Sequence, residues 1–225
     1  MEKGCFITGT DTNVGKTWTT VALMRYFRSQ GKSVIGMKPV ASGCYMKDGL
    51  LVNDDALLLQ ENASIKLDYS LINPYAFERP VSPHIASKNN PVEFEVITDK
   101  FDAIKNQAQI ILVEGAGGWF SPLNENQDNS DLALHLGLPV IMVVAIKLGC
   151  INHAKLTHKA IKESDTAFAG WIAVCINPEE PCIEETIATL TMQLNRPPLA
   201  ILPYLDRPAF NELAKCYSSH IIDYL

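Results

Sequence analysis

The residues best suited to chemistry lie in GTDTNVGKT, positions 9–17, between the apolar segment CFIT and the segment WTTVALMRYF. Gly-Lys-Thr between a strand and a helix marks a phosphate cradle. Successive backbone amides surround phosphate oxygens, and the helix dipole adds to the attraction. Gly15 would let the backbone come close, Lys16 would reach the β- and γ-phosphates, and Thr17 would offer its hydroxyl to Mg2+. The spacing is irregular, however. The usual loop has four residues between its glycines; here five separate Gly9 from Gly15, and Thr10 stands where the first glycine belongs.

Mg2+ requires further hard oxygen ligands. Glu114 ends the run IILVE. A carboxylate at the carboxyl end of an inner strand would lie where open α/β sheets bind ligands. Asp55, in NDDALLL, has two readings: a metal ligand, or a helix N-cap, a role that Asn53 or Asp54 could also fill. Lys38 precedes Pro39, which keeps it extended; it could point into the same cleft or stand in solvent. Ser42 and Gly43 on their own read as a turn.

These side chains need a scaffold. Short Val- and Ile-rich runs at 4–8, 33–37, 109–113, 139–145, 170–176 and 199–202 are apolar at consecutive positions. That is the pattern of strands buried on both faces of a parallel sheet. Helices are expected over 15–30, 54–61, 93–106, 128–136, 152–163, 182–194 and 209–216, with Gly31 stopping the first. The alternation predicts a single doubly wound, mainly parallel α/β domain over 1–225, P-loop NTPase-like, with helices on both faces and right-handed crossovers. Region 42–92, with NPYAFERPVSPHIA, is less regular, and its prolines oppose helix. It reads as a surface connection or as the lining of a substrate site.

Composition excludes several function classes. With 19 basic and 25 acidic residues the net charge is −6, against sequence-independent nucleic-acid binding, which needs a basic face. The longest apolar run, LPVIMVVAI, has nine residues, about half of what spans a bilayer. MEKGCFITG lacks the apolar core of a secretory signal, so a cytoplasmic protein is expected. The six cysteines form no C-x-x-C pair and read as free thiols of a reducing compartment. No paired-Cys or His-x3-His spacing gives His84, His135 or His153 a metal role.

Taken together, these motifs resemble the dethiobiotin synthetase family, whose phosphate loop reads GTDTxVGKT with the same surplus residue and threonine. The likeness continues in order through KPVASG (38–43), DDAL (54–57), NPY (73–75), SPHIA (82–86), VEGAGGWFSPL (113–123), PVIMVV (139–144) and KLGCINHA (147–154). After Pro178 it is loose. The resemblance implies an ATP-dependent cyclo-ligase of biotin biosynthesis. It would join CO2 to 7,8-diaminononanoate through a carbamate and a carbamic–phosphoric anhydride, giving dethiobiotin, ADP and phosphate. It implies catalytic roles for Lys38, Lys16 and Thr12, and Mg2+ on Thr17, Asp55 and Glu114. Nucleotide contacts would come from Asn13, Val14, Gly15, Lys16, Thr17 and Trp18, and from Gly115, Ala116 and Gly117. Ser42 would hold the diamine or its carbamate. The helix start at Gly149, Cys150, Ile151 and Asn152 would receive the substrate carboxylate across the interface of a homodimer.

The resemblance is weakest where the base would sit. Family members often carry an asparagine late in the strand beginning Gly-Trp; this chain has Val174 there and Cys175 next, and valine has no polar side-chain atom. Pro203, Tyr204 and Leu205 occupy the segment that closes over the base, where the family often has Pro-Trp. Relaxed base preference is therefore expected. Two rival functions are a partition- or maturation-type switch ATPase and a related ligase acting on another diamine. Such switch ATPases commonly carry lysine early in KGGxGKT, where this chain has Asp11 and Thr12.

Overall fold

A computed structural model of the chain describes residues 3–88, 90–219 and 221. In chain order the elements are β1 (Lys3–Gly9), α1 (Lys16–Ser29), β2 (Val34–Met37), β3 (Val40–Ser42), β4 (Tyr45–Lys47), β5 (Leu50–Val52), α2 (Asp54–Asn62), α3 (Tyr69–Ile72), β6 (Tyr75–Phe77), α4 (Pro83–Ala86), α5 (Phe94–Lys105), β7 (Ile110–Gly118), α6 (Asn129–His135), β8 (Val140–Ile146), α7 (Cys150–Glu163), β9 (Phe168–Cys175), α8 (Ile183–Leu194), β10 (Ala200–Leu202) and α9 (Phe210–Ala214).

Six strands form one sheet in the order β10-β9-β8-β1-β7-β2, every pair parallel. The sheet lies between helices on both faces, as the β-α alternation predicts. All seven residues of β8 are buried, which explains a sequence that is apolar without alternation. Chain progress reverses at β1: β7 lies on one side of it and β8 on the other. That reversal is where open α/β sheets leave a crevice at the carboxyl ends of their strands. On one side of the core α1 packs against α2 and α9; elsewhere α7 packs against α8.

Several boundaries differ from expectation for physical reasons. Strand β7 does not end at Glu114 but runs on to Gly118. Its register against β1 slips on the way: Ile7 pairs with Glu114, yet Gly9 pairs with Gly118. Two surplus residues on β7 bulge there, turning a buried ladder into backbone that approaches the phosphate loop. Helix α7 starts at Cys150, not at 152, because Gly149, at φ 90°, serves as its N-cap. The irregular region between β2 and α5 contains a parallel pair, β3 with β6, and an antiparallel hairpin, β4 with β5. The hairpin turns on Asp48 and Gly49, both at positive φ, as a two-residue type I′ loop requires. Among the described residues, no helix is long and apolar enough to cross a membrane.

Candidate functional site

The phosphate loop emerges from the carboxyl end of β1. Its surplus residue is absorbed by left-handed backbone at two places, Asn13 (φ 58°) and Gly15 (φ 92°). Asparagine tolerates that region better than most residues, so the irregular spacing is a working geometry. A side chain on Gly15 would bring its Cβ within 2.9 Å of Val174 on β9. The amide of Thr10 bonds the carbonyl of Val143 (3.1 Å), tying the loop to β8. Helix α1 has no side-chain cap and no acidic residue in its first turn, so its first amides remain available to an anion. Lys16 curls back over the loop, its Nζ donating to the Asp11 carbonyl at 2.9 Å. Burial, aided by Lys38, lowers the Lys16 pKa to about 8, against the opposing pull of Glu114, Asp55 and Asp11.

Behind the loop lies a buried ionic cluster. Glu114 has no exposed surface. Its Oε1 accepts from Thr17 Oγ1 (2.8 Å) and Lys38 Nζ (2.6 Å), and its Oε2 accepts from Thr20 Oγ1 (2.7 Å). Lys38 Nζ also donates to Asp55 Oδ2 at 3.2 Å. Burial alone would lower the Lys38 pKa, but Glu114 and Asp55 reverse this and raise it. Burial likewise pushes Asp55 upward, and Lys38 with Thr17 outweighs it, so its carboxyl lies below the ordinary value. A buried carboxylate is tolerated only when paired and hydrogen-bonded in this way.

Asp55 is not the N-cap of α2. Asn53 is the N-cap of α2, accepting from the amides of Asp55 (3.0 Å) and Ala56 (3.4 Å), which leaves the Asp55 carboxylate free for Lys38. Lys38 does turn inward. Its carbonyl accepts from Asn73 Nδ2 (2.7 Å), and Asn73 Oδ1 accepts from the Tyr69 hydroxyl (2.9 Å), which in turn accepts from the Asn53 amide (2.8 Å). Thr20, Tyr69 and Asn73 were not singled out in the sequence. The one signal was Asn73 in NPY, a block that marks a resemblance without stating a role.

The bulged end of β7 forms the opposite wall. Gly117 has φ 72°, and a Cβ there would lie 2.4 Å from Ser121 Oγ. Asn129, missed in the sequence, holds this segment by donating to the carbonyls of Ala116 (2.7 Å) and Gly118 (2.8 Å). Loop and wall border a cleft of about 790 Å3. Thr12, Asn13, Gly15, Lys16, Thr17 and Trp18 line its centre, with Ala116 and Gly117 opposite. Lys38, Ser42 and Asp55 line the cleft on the side of β2, with Pro80–Pro83; Val174, Cys175, Pro203, Tyr204 and Leu205 line it on the side of β9 and β10. The Ser42 hydroxyl is buried without a partner. Val14 packs into the core, and Glu114 lies beneath the floor, covered by Thr17 and Lys38.

Gly149, Cys150, Ile151 and Asn152 do not line this cleft. They form the start of α7 as expected, with Leu148 beside them 96% exposed and its amide donating to Glu180 Oε1 at 3.0 Å. Thr17, Asp55 and Glu114 together present a hydroxyl and two carboxylates. That all-oxygen set suits a small hard dication such as Mg2+, and Lys38 now supplies their counter-charge.

Comparisons with known proteins agree with this architecture. A family model described as an AAA domain matches residues 3–209. The chain is 45% identical over 206 residues to the ATP-dependent dethiobiotin synthetase of Nitrosospira multiformis, covering 91% of this chain and 89% of the relative. It is 44% identical over 207 residues to that of Escherichia coli K12, covering 91% and 92%. In shape it is similar to the MinD cell division protein of Aquifex aeolicus (TM-score 0.60, 18% identity, 99% of this chain and 94% of that one). A ParA family ATPase from Chlorobium tepidum is similar too (TM-score 0.59, 14% identity, 100% and 98%). At such identities these two likenesses establish the P-loop NTPase fold and nothing more. Identity near 45% along almost the whole length, together with the extended phosphate loop and the cluster behind it, places this chain in the ATP-dependent dethiobiotin synthetase family.

Proposed function

We propose that the chain closes a cyclic urea: it carboxylates 7,8-diaminononanoate with CO2 at the expense of ATP, releasing dethiobiotin, ADP and phosphate. The observation that carries this reading is one cleft joining a phosphate loop to the Lys38 ammonium and the unpartnered Ser42 hydroxyl. A switch ATPase gives the latter two no task.

In this reading one amine of the substrate takes up CO2 as a carbamate, and Ser42 hydrogen-bonds it. A carbamate oxygen attacks the γ-phosphorus, and ADP leaves. Two anions must meet in that step, so the protein's work is positioning and charge neutralisation. Lys16 and Lys38 flank the transferring group, while Thr12 and the amides of 13–18 hold the phosphate chain. The second amine then attacks the activated carbon, the urea closes and phosphate departs with both electrons of the C–O bond. Thr17, Asp55 and Glu114 would hold Mg2+, which when bound supplies positive charge to the phosphates. Thr17 and Lys38 both bond Glu114 Oε1 in the present structure.

The α7 start lies outside its own chain's cleft and beside a fully exposed leucine. We read it as the receptor for the substrate carboxylate of a second copy, so that the working unit is a homodimer. Mixing the protein with MgATP, bicarbonate and 7,8-diaminononanoate tests the whole reading. Phosphate release should depend on the diamine, and mass spectrometry should find the cyclic urea in equal amount. Phosphate release indifferent to the diamine would sink it.

A further inference from the structure

The cleft ends, away from Lys38 and Ser42, in a slot formed by the carboxyl end of β9 and the segment after β10. Resting on the nucleotide reading above, we infer that this slot holds a nucleobase without reading it, so the enzyme takes nucleoside triphosphates as a class.

The walls are apolar. Val174, Ile176, Leu202, Pro203, Leu205 and Leu213 line them. Trp18 borders the slot, braced edge-on by Phe210 with ring centroids 5.9 Å apart. Discrimination among bases needs donors or acceptors aimed at the base edge, because every base offers a similar flat face to an apolar or aromatic wall. Few side chains that line the slot could supply them. Tyr204 stands at the edge of the slot, with Asp206 nearby raising its pKa. Asn177, just past β9, turns its carboxamide oxygen to the amide of Glu179 at 3.1 Å. Cys175 offers a thiol, a weak donor, with its pKa raised by burial.

Along the strands the backbone is committed to the sheet. Val174 is paired with Ala145 on one side and Leu202 on the other, so its peptide groups belong to the sheet. Pro203 has no N–H to give. By contrast, the loop and ionic cluster would hold the triphosphate, which all nucleoside triphosphates share. Stacking area remains as a discriminator, and it favours purines only mildly.

The test uses the full chain and two independent readouts. In the first, ATP, GTP, CTP and UTP compete in turn for displacement of a ribose-labelled fluorescent ATP. All four should displace it with dissociation constants within about tenfold, since a net hydrogen bond is worth about one tenfold step. A preference for ATP of a hundredfold or more overturns the inference, whether or not the protein turns over. In the second, diamine-dependent phosphate release is measured with each triphosphate. Comparable rates support the inference; a product formed from ATP alone overturns it. Failure to make cyclic urea from any of the four, with unselective binding intact, would refute the proposed reaction and leave the slot as described. Val174→Asn adds a carboxamide at the slot and should raise the ATP-to-CTP binding ratio at least fivefold; an unchanged ratio would count against Val174 as the silent position.

Discussion

The two ends of the cleft are built on opposite principles. At the phosphate end a network of polar side chains is largely satisfied within the protein: Lys38 bridges Glu114 and Asp55, Thr17 and Thr20 bond Glu114, and Asn73 fixes the Lys38 carbonyl. At the base end the lining is mostly apolar, with Cys175 and Tyr204 as its polar side chains. Low dielectric makes a satisfied polar network strong and a damaged one costly, whereas an apolar wall trimmed at a partly open edge loses only packing. The phosphate end should therefore fail sharply under substitution and the base end gradually.

Lys38→Ala should give the largest effect. In the proposed reaction it removes an ammonium from beside the transferring phosphate, and it strands a carboxylate with no exposed surface. Turnover should fall by roughly 10²–10³, the range for losing one pre-organised electrostatic partner. Stability in urea should fall by about 3–5 kcal/mol, as for breaking a buried ion pair. Lys38→Ala combined with Glu114→Gln should recover most of that stability but no activity. If the double variant is as unstable as the single one, the buried charge is not the cause.

Gly117→Ala should follow, at about 1–3 kcal/mol, because it forces a Cβ against Ser121 onto left-handed backbone. Urea unfolding measures it; a neutral result would show that the bulged end of β7 yields easily. Tyr69→Phe comes next. It leaves the Asn53 amide and Asn73 Oδ1 each short of a partner, at a cost of about 1–2 kcal/mol. It also tests pH dependence. Burial pushes the Tyr69 pKa up to about 12, so the folded state favours the neutral phenol. Its contribution is complete below about pH 10, where the free phenol titrates, and is lost as pH rises from there toward 12. Unfolding followed from pH 9 to 11.5 should show a shallower alkaline decline in the variant than in the wild type.

The smallest effect is expected at the base end. Phe210→Ala removes one edge-on aromatic contact with Trp18, worth about 0.5–1.5 kcal/mol. Nucleotide affinity should drop two- to tenfold, and by the same factor for ATP and CTP. A loss confined to ATP would erase the contrast between the two ends.

That contrast also explains what could be read in the sequence. Lys16, Thr17 and Glu114 stood out from local context, a loop after a strand and an acid at the end of an apolar run, whereas Lys38 and Asp55 were ambiguous locally and only the family resemblance favoured a place for them in the site. Apolar consecutive positions located all six strands of the main sheet. What stayed hidden depends on distance in space. Thr20 is an ordinary helix residue until Glu114, 94 positions away, comes against it. Asn129 and Tyr69 act by holding backbone in other elements. The β4–β5 hairpin did carry a local sign, Asp48-Gly49, but its flanking runs of three residues are too short for periodicity to show. The slip in β7 register follows from pairing with β1, and no property of GAGG alone announces it.

The occupied state of the cluster bears on which anions can enter. Both lysines at the phosphate end already have oxygen partners, Lys16 in Asp11 and Lys38 in two carboxylates. A lone sulfate or orthophosphate would have to dislodge these contacts with few of its own to offer. A polyanion escorted by its own cation brings replacements for every bond it displaces. Entry of any phosphate thus exchanges contacts at the two lysines, while the first amides of α1 stand open to it.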